Sequence, residues 1–185
     1  TDLHEAIDLK DWSGVRRITK DHPEWLSVRD DKLGYTPLLQ LLKSKGTPSV
    51  VAEIANKTPT SVIDIQNENG WTALQLAAQH GYSEVVRVLI SRGSNKDIQM
   101  KKGVTALFVS AQNGHTDICK ILIESGADMH LQQEDGWTTL MTAAHFNKYD
   151  IVKLLIKNNV DLNQVNTVGR YRKLILHLQE GQFLQ

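Results

Sequence analysis

The chain has 185 residues, with 21 Lys+Arg against 21 Asp+Glu and no net formal charge, a balance that excludes a generally basic nucleic-acid or polybasic membrane-binding surface while leaving room for local charged patches. Apolar residues make up 41% and charged residues 23%, the composition of a chain that folds. The single cysteine, Cys119, excludes an intrachain disulfide and fits a reducing compartment, and no apolar run approaches the roughly 18 residues of a membrane span.

The chain opens at Thr1 without a methionine and reads as a fragment. Residues 1–33 contain LHEAIDLKDWSGVRRI, whose apolar spacing predicts two short helices and a divergent first unit. At Gly34 the run GYTPLLQLL opens a second unit, 34–69, which is 36 residues long and so carries about three extra. From Gly70 the chain repeats at a step of 33 residues. GWTALQLAAQHG, GVTALFVSAQNG and GWTTLMTAAHFN begin at Gly70, Gly103 and Gly136. Thr72, Thr105 and Thr138 keep the step, as do Leu74, Leu107 and Leu140. The second halves open at Glu84, Asp117 and Asp150. Three regular units follow, 70–102, 103–135 and 136–168. After Gly169 the register decays, so 169–185 is expected to be a degenerate C-terminal capping half-unit or a cut within a longer array.

Within each unit the residues predict a helix, a tight turn, a second helix and an extended loop. Thr36, Thr72, Thr105 and Thr138 are N-caps by type, because a Thr hydroxyl accepts an orphan amide of the first turn. Pro37 follows at the first helical position, where a missing N–H costs nothing. Ala77-Ala78 and Ala143-Ala144 are small enough for neighbouring helices to approach closely. Val85, Val86, Val88, Leu89 and Ile90 give the second helix a wide apolar face. Gly81, Gly114 and Asn147 occupy one turn position, and Gly93, Gly126 and Asn159 another. Both departures are to Asn, the residue that best tolerates left-handed backbone after Gly.

The period, the G-x-T-P-L opening and the second-half pattern resemble the ankyrin repeat from Gly34 to about Val168. The resemblance implies an all-α solenoid of helix-turn-helix units with hairpin-like loops, about 5–6 repeats in all. The family usually has His after T-P-L; here the position holds Leu39, Gln75, Phe108 and Met141. The hydrogen bonds of that His are therefore expected to be missing, with apolar packing in their place in three units. Stability should fall lowest in 34–69 and at the C-terminal end, because such arrays sum unit and neighbour terms.

No G-x-S-x-G, H-E-x-x-H, Walker loop or dinucleotide fingerprint is present. Cys119 shares the register of Val86 and Val152 on an apolar helix face and reads as a buried thiol. The seven histidines show no metal-ligand pairing with cysteine. Asp30-Asp31 and Glu134-Asp135 read as solvated loop residues. The chain is read as a non-enzyme with no cofactor and no metal.

The resemblance implies partner binding through loop tips and exposed first-helix residues. The tips carry Lys32 with Asp31, then Glu68, then Lys101-Lys102, then Glu134-Asp135, so charge alternates along them. Positions with no folding requirement hold an excess of aromatics. The candidate partner-binding residues are Tyr35, Trp71, Gln79, His80, Lys101, Lys102, Gln112, Asn113, Trp137, His145 and Phe146. The expected role is a cytoplasmic scaffold, adaptor or substrate-recruiting module for a protein or peptide, without membrane insertion. The competing structural reading has the Trp rings packed on neighbouring loops. An alternative function uses Trp71 and Trp137, two units apart, with Lys101-Lys102 between them, to hold a nucleotide or short oligonucleotide. That layout resembles the oligoadenylate-sensing ankyrin domain of ribonuclease L, although Thr142 stands where that domain has an acidic residue. Leu155, Asp161 and Asn163 also resemble the pattern that an asparaginyl hydroxylase modifies in this family, which marks Asn163 as a possible hydroxylation site. The competing reading makes Asn163 a structural loop residue.

Overall fold

In the computed structural model, which describes residues 2–30 and 34–164, ten α-helices form successive pairs. They are α1 (Leu3–Asp8) with α2 (Trp12–Asp21), α3 (Pro37–Lys43) with α4 (Pro48–Lys57), α5 (Ala73–His80) with α6 (Ser83–Ser91), α7 (Ala106–Asn113) with α8 (Thr116–Glu124), and α9 (Thr139–His145) with α10 (Tyr149–Lys157). The half-unit expected over 169–185 and the tip charges Asp31 and Lys32 lie outside the described residues.

The first helices α1, α3, α5, α7 and α9 pack in a row, and the second helices α2, α4, α6, α8 and α10 pack in another. One apolar cluster runs between the rows, through Leu38, Leu74, Leu107 and Leu140 on the first helices and Ile54, Leu89, Leu122 and Leu155 on the second. The fold is all-α, as the sequence predicts, and each pair is closed only by its neighbour.

Local chemistry sets where helices begin and end. The Thr36, Thr72, Thr105 and Thr138 hydroxyls accept from the amides of Leu39, Gln75, Phe108 and Met141 at 3.2–3.3 Å. The first helices then stop on left-handed residues: Gly81 and Gly114 with φ 77° and 82°, and Asn147 with φ 56°. Asn159 is also left-handed, at φ 60°, in the register of Gly93 and Gly126. Lys10 and Lys45 adopt the same geometry with φ 56° and 52°, and no residue-type signal marked them.

The hairpin-like tips are closed by backbone pairs. The amides of Asn67, Met100 and Gln133 donate to the carbonyls of Trp71, Val104 and Trp137 at 3.0, 2.9 and 2.9 Å. A polar ladder joins tip to tip. Arg29 donates to the carbonyls of Gly34 and Gln66, at 3.0 and 3.3 Å. Gln66 donates to Gly70 and Gln99, at 2.6 and 3.2 Å, and Gln99 to Gly103 and Gln132, at 2.9 and 3.1 Å. A second ladder runs after the second helices. Asp64 and Asp97 accept the amides of Asn95 and Asp128, both at 2.9 Å, and the His130 ring accepts the amide of Asp161 at 3.4 Å.

The expected loss of the family's His hydrogen bonds needs correction at Gln75. Its carboxamide oxygen accepts the Thr72 amide at 2.9 Å, completing a capping box. Its nitrogen donates to the carbonyls of Ile98 and Val104 at 2.7 and 3.1 Å. A buried Gln therefore ties its own helix start to the following hairpin. Leu39, Phe108 and Met141 are buried apolar side chains at that register, as expected.

Gly103 and Gly93 separate two reasons for glycine. Both have positive φ, 81° and 88°. A Cβ on Gly103 would lie 3.0 Å from both the Gln132 carbonyl oxygen and Gln133 Cα, whereas one on Gly93 would meet nothing within 4 Å. Gly93→Ala should cost about 1–2 kcal/mol, from backbone strain alone. Gly103→Ala should cost at least about 1 kcal/mol more, because adjacent tips must separate. Equal costs in urea melts would show that the tips do not constrain each other.

Candidate functional site

The row of first helices and the tips beside it present a groove of about 450 Å³ between the α7 and α9 pairs. Trp137, His145, Phe146 and Gln112 line it, as does Phe108, the α7 residue at the register usually held by His. The Trp137 and His145 rings meet nearly at right angles with centroids 5.3 Å apart, and His145 and Phe146 do so at 4.9 Å. Phe146 is 42% exposed and forms the outer end of this aromatic run. Thr142 and Asp135 complete the groove with polar atoms. The Thr142 residue is 1% exposed, and its hydroxyl is buried without a hydrogen-bond partner. Asp135 accepts the Trp137 amide at 3.4 Å.

The other candidates lie elsewhere or differ in exposure. Tyr35, expected on the surface, is only 9% exposed: it packs in the core cluster under the Lys43 ammonium, 4.6 Å from its ring centroid. Trp71 and Trp137 are half-buried and packed against the same cluster. Trp71, Lys101 and Lys102 do not line the groove that holds Trp137. Lys101 and Lys102 are exposed, and the Lys102 carbonyl accepts the Glu134 amide at 3.1 Å, so the basic and acidic tips abut. Gln79 and Asn113 are exposed at the ends of α5 and α7; Asn113 donates to the Val109 carbonyl at 2.8 Å. Phe108 and Gln133 were absent from the sequence-derived set. The non-His residue at 108 was a visible signal, but its position against the next pair was not.

A second groove, of about 650 Å³, lies between α1 and α3, where Leu9 (69% exposed) and Val28 face solvent. Gln40 braces it by donating to Asp8 at 2.7 Å and to the His4 carbonyl at 3.1 Å. Cys119 is fully buried 3.1 Å from Ser110 Oγ, and burial pushes its thiol up to about 11, so it stays protonated and unreactive at neutral pH. Asn163 is exposed, with its amide donating to Asp161 at 2.9 Å. It holds the register of Asp64, Asp97 and His130, the second-ladder residues. Among the described residues no group of three or more His, Cys, Asp or Glu could hold a metal, and no helix is long and apolar enough to cross a membrane.

With this geometry in place, the family model for ankyrin repeats (3 copies) matches the chain over residues 3–100 and 90–166. No curated protein matches it.

His80 was expected to present its ring to a partner. It is instead half-buried at the end of α5, with Nε2 buried and unpartnered. Burial holds its imidazole below the ordinary histidine value, with Lys45 and His115 adding to the lowering and a backbone hydrogen bond to Leu42 opposing it. The unfolded chain therefore takes up this proton before the folded one does. Stability from the neutral ring is intact above about pH 6.5 and is lost as pH falls toward the lower folded value. Melting temperatures should drop as pH falls below about 6.5, and His80→Gln should lose part of that drop. An identical pH profile in the variant would remove His80 as a source.

Proposed function

The chain belongs to the ankyrin-repeat family, and on that premise we propose that it is a non-catalytic interaction module that binds a protein or peptide through its loop tips and first-helix face. Ankyrin repeats are generally protein–protein interaction modules; the scaffold, adaptor or recruiting role and a cytoplasmic setting are our reading for this chain. The observation that carries it is the aromatic groove between α7 and α9. Its rings continue outward to Phe146, 42% exposed on a chain with only 6% aromatic residues. Aromatic side chains beside a concave, partly polar floor are the usual makings of a binding hot spot. The nucleotide alternative draws less support. Its second ring, Trp71, and its lysines are not among the groove's lining residues, and Asp135, which is among them, carries a carboxylate that repels phosphate.

Gln112 and Phe146 are exposed and can be changed without touching the core. A Gln112→Ala, Phe146→Ser double variant should keep the wild-type circular dichroism and melting temperature. It should also lose about tenfold in affinity for proteins that the wild type captures from a lysate, the loss of one hot spot. Undiminished capture would place the interaction on another face. Hydroxylation at Asn163 is the second element of the proposal. Its support is an exposed side chain in a loop register that also holds Asp97 and His130. Intact-mass analysis after expression beside an asparaginyl hydroxylase should show one added oxygen, absent in Asn163→Ala; no added oxygen counts against the site.

A further inference from the structure

We infer that Asn69, on the tip that precedes Trp71, is a site of spontaneous covalent modification, in which its side-chain amide is lost by cyclisation onto the Gly70 nitrogen and replaced by a carboxylate.

Cyclisation needs a following residue that leaves its backbone nitrogen uncrowded, and glycine, without a Cβ, meets that need. The sequence joins Asn to Gly twice, at Asn69-Gly70 and Asn113-Gly114. Both asparagines are exposed, so access to solvent does not distinguish them. Their hydrogen bonds do. Asn113 ends α7, its side-chain nitrogen donates to the Val109 carbonyl at 2.8 Å, and the Gly114 nitrogen donates to the Ala111 carbonyl at 3.2 Å. The leaving amide and the attacking nitrogen are both held there, and freeing them unwinds the end of a helix. The Asn69 carboxamide has no hydrogen-bond partner among the described residues. Neighbouring Asn67 is the opposite case: it is buried, and its side-chain oxygen accepts the Asn69 and Trp71 amides, both at 3.0 Å. One bond opposes the reaction at Asn69, from the Gly70 nitrogen to the Asn67 carbonyl at 2.8 Å. It closes an exposed turn, which opens without disturbing a helix, and such local openings cost far less than global unfolding.

The step balances with water alone. In the opened turn the Gly70 nitrogen loses its proton to solvent base and attacks Asn69 Cγ. The N–Cγ bond forms, the Cγ–Nδ2 bond breaks and ammonia leaves, which closes a cyclic imide. Water then adds at one of the imide carbonyl carbons. Addition at Cγ restores the ordinary main chain, with aspartate at 69. Addition at the backbone carbonyl carbon leaves the main chain running through Cγ, as isoaspartate, with an extra methylene. Nothing is oxidised or reduced.

The tip is poorly placed to accept that methylene. The Asn67 amide donates to the Trp71 carbonyl at 3.0 Å across it, and Gln66 donates to the carbonyls of Gly70 and Gln99 at 2.6 and 3.2 Å. A Cβ on Gly70 would already lie 3.2 Å from the Lys101 nitrogen, so the next tip leaves no slack. Isoaspartate at 69 therefore loosens the rung between units 34–69 and 70–102, beside Trp71. Aspartate at 69 adds only a charge next to Glu68.

The test incubates the 185-residue chain, folded or in urea, in mildly alkaline buffer at physiological temperature and follows tryptic peptides 58–87 and 103–120, which carry Asn69 and Asn113. In the folded chain, peptide 58–87 should gain the amide-to-acid mass difference and separate chromatographically into aspartate and isoaspartate forms. It should do so at least about tenfold faster than 103–120, because one site opens locally and the other only with its helix end. In urea the two peptides should convert at similar rates. Equal rates in the folded chain, or a folded Asn69 that stays intact while its unfolded counterpart converts, overturns the inference. Asn69→Gln should stop the conversion; a mass gain that persists in 58–87 belongs to another amide and overturns the assignment. Asn69→Asp, which has the charge without the methylene, should melt with the unaged wild type, and aged chain enriched in isoaspartate should melt below both. Equal melting of that aged chain and Asn69→Asp overturns the loosened rung.

Discussion

No helix pair in this chain can bury its own apolar face, and every other feature follows from how the next pair covers it. The pairs are short: α5 and α6 together hold 17 residues, 8 plus 9. The apolar positions along both rows close only when successive units keep the same register. Two ladders of polar side chains hold that register. Arg29, Gln66 and Gln99 tie one tip to the next, and Asp64, Asp97 and His130 cap the amides of the following loop. These bonds do work that apolar packing cannot do: packing resists separation, whereas a directional bond to one carbonyl also resists sliding.

The groove between α7 and α9 is a consequence of that spacing. Adjacent tips lie so close that glycine is required at 103, which brings the Glu134-Asp135 tip against Lys102. Adjacent first helices then border an open groove, and residues at two registers of α7 and α9 become part of its lining. In this chain those registers hold Phe108, Gln112, Thr142 and His145. Thr142 is costly as a core residue, since an unpaired buried hydroxyl forfeits about 1–3 kcal/mol. A stability defect at the floor of a groove is the pattern expected where a site serves a ligand.

The same register produces opposite outcomes at one position of the repeat. Gln75 bridges Thr72, Ile98 and Val104, while Phe108 and Met141 fill the equivalent space with apolar volume. The array is therefore not uniform along its length. Polar ties between first helix and hairpin are concentrated at α5, and the aromatic groove lies one pair further on.

Much of the fold was legible because its causes are local. A Thr hydroxyl reaches an amide three residues away, and Asn147 and Asn159 turn left-handed for reasons held in their own backbones. The 33-residue step recurs in the text itself. The Gln66–Gln99–Gln132 step was visible too, but that it forms a ladder was not, because each rung spans two units. Exposure was the part least available to the sequence. Tyr35 and His80 stand at registers that face solvent in the simple repeat, yet one packs in the core cluster under Lys43 and the other is half-buried at the end of α5. The sequence by itself determined the repeat, its caps, its turns and the buried thiol of Cys119. Only the tertiary structure decided which candidates meet. Burial and pocket geometry depend on the neighbouring pair, and side chains such as Gln112 and Trp137, 25 residues apart in the chain, share a groove only once α9 is stacked on α7.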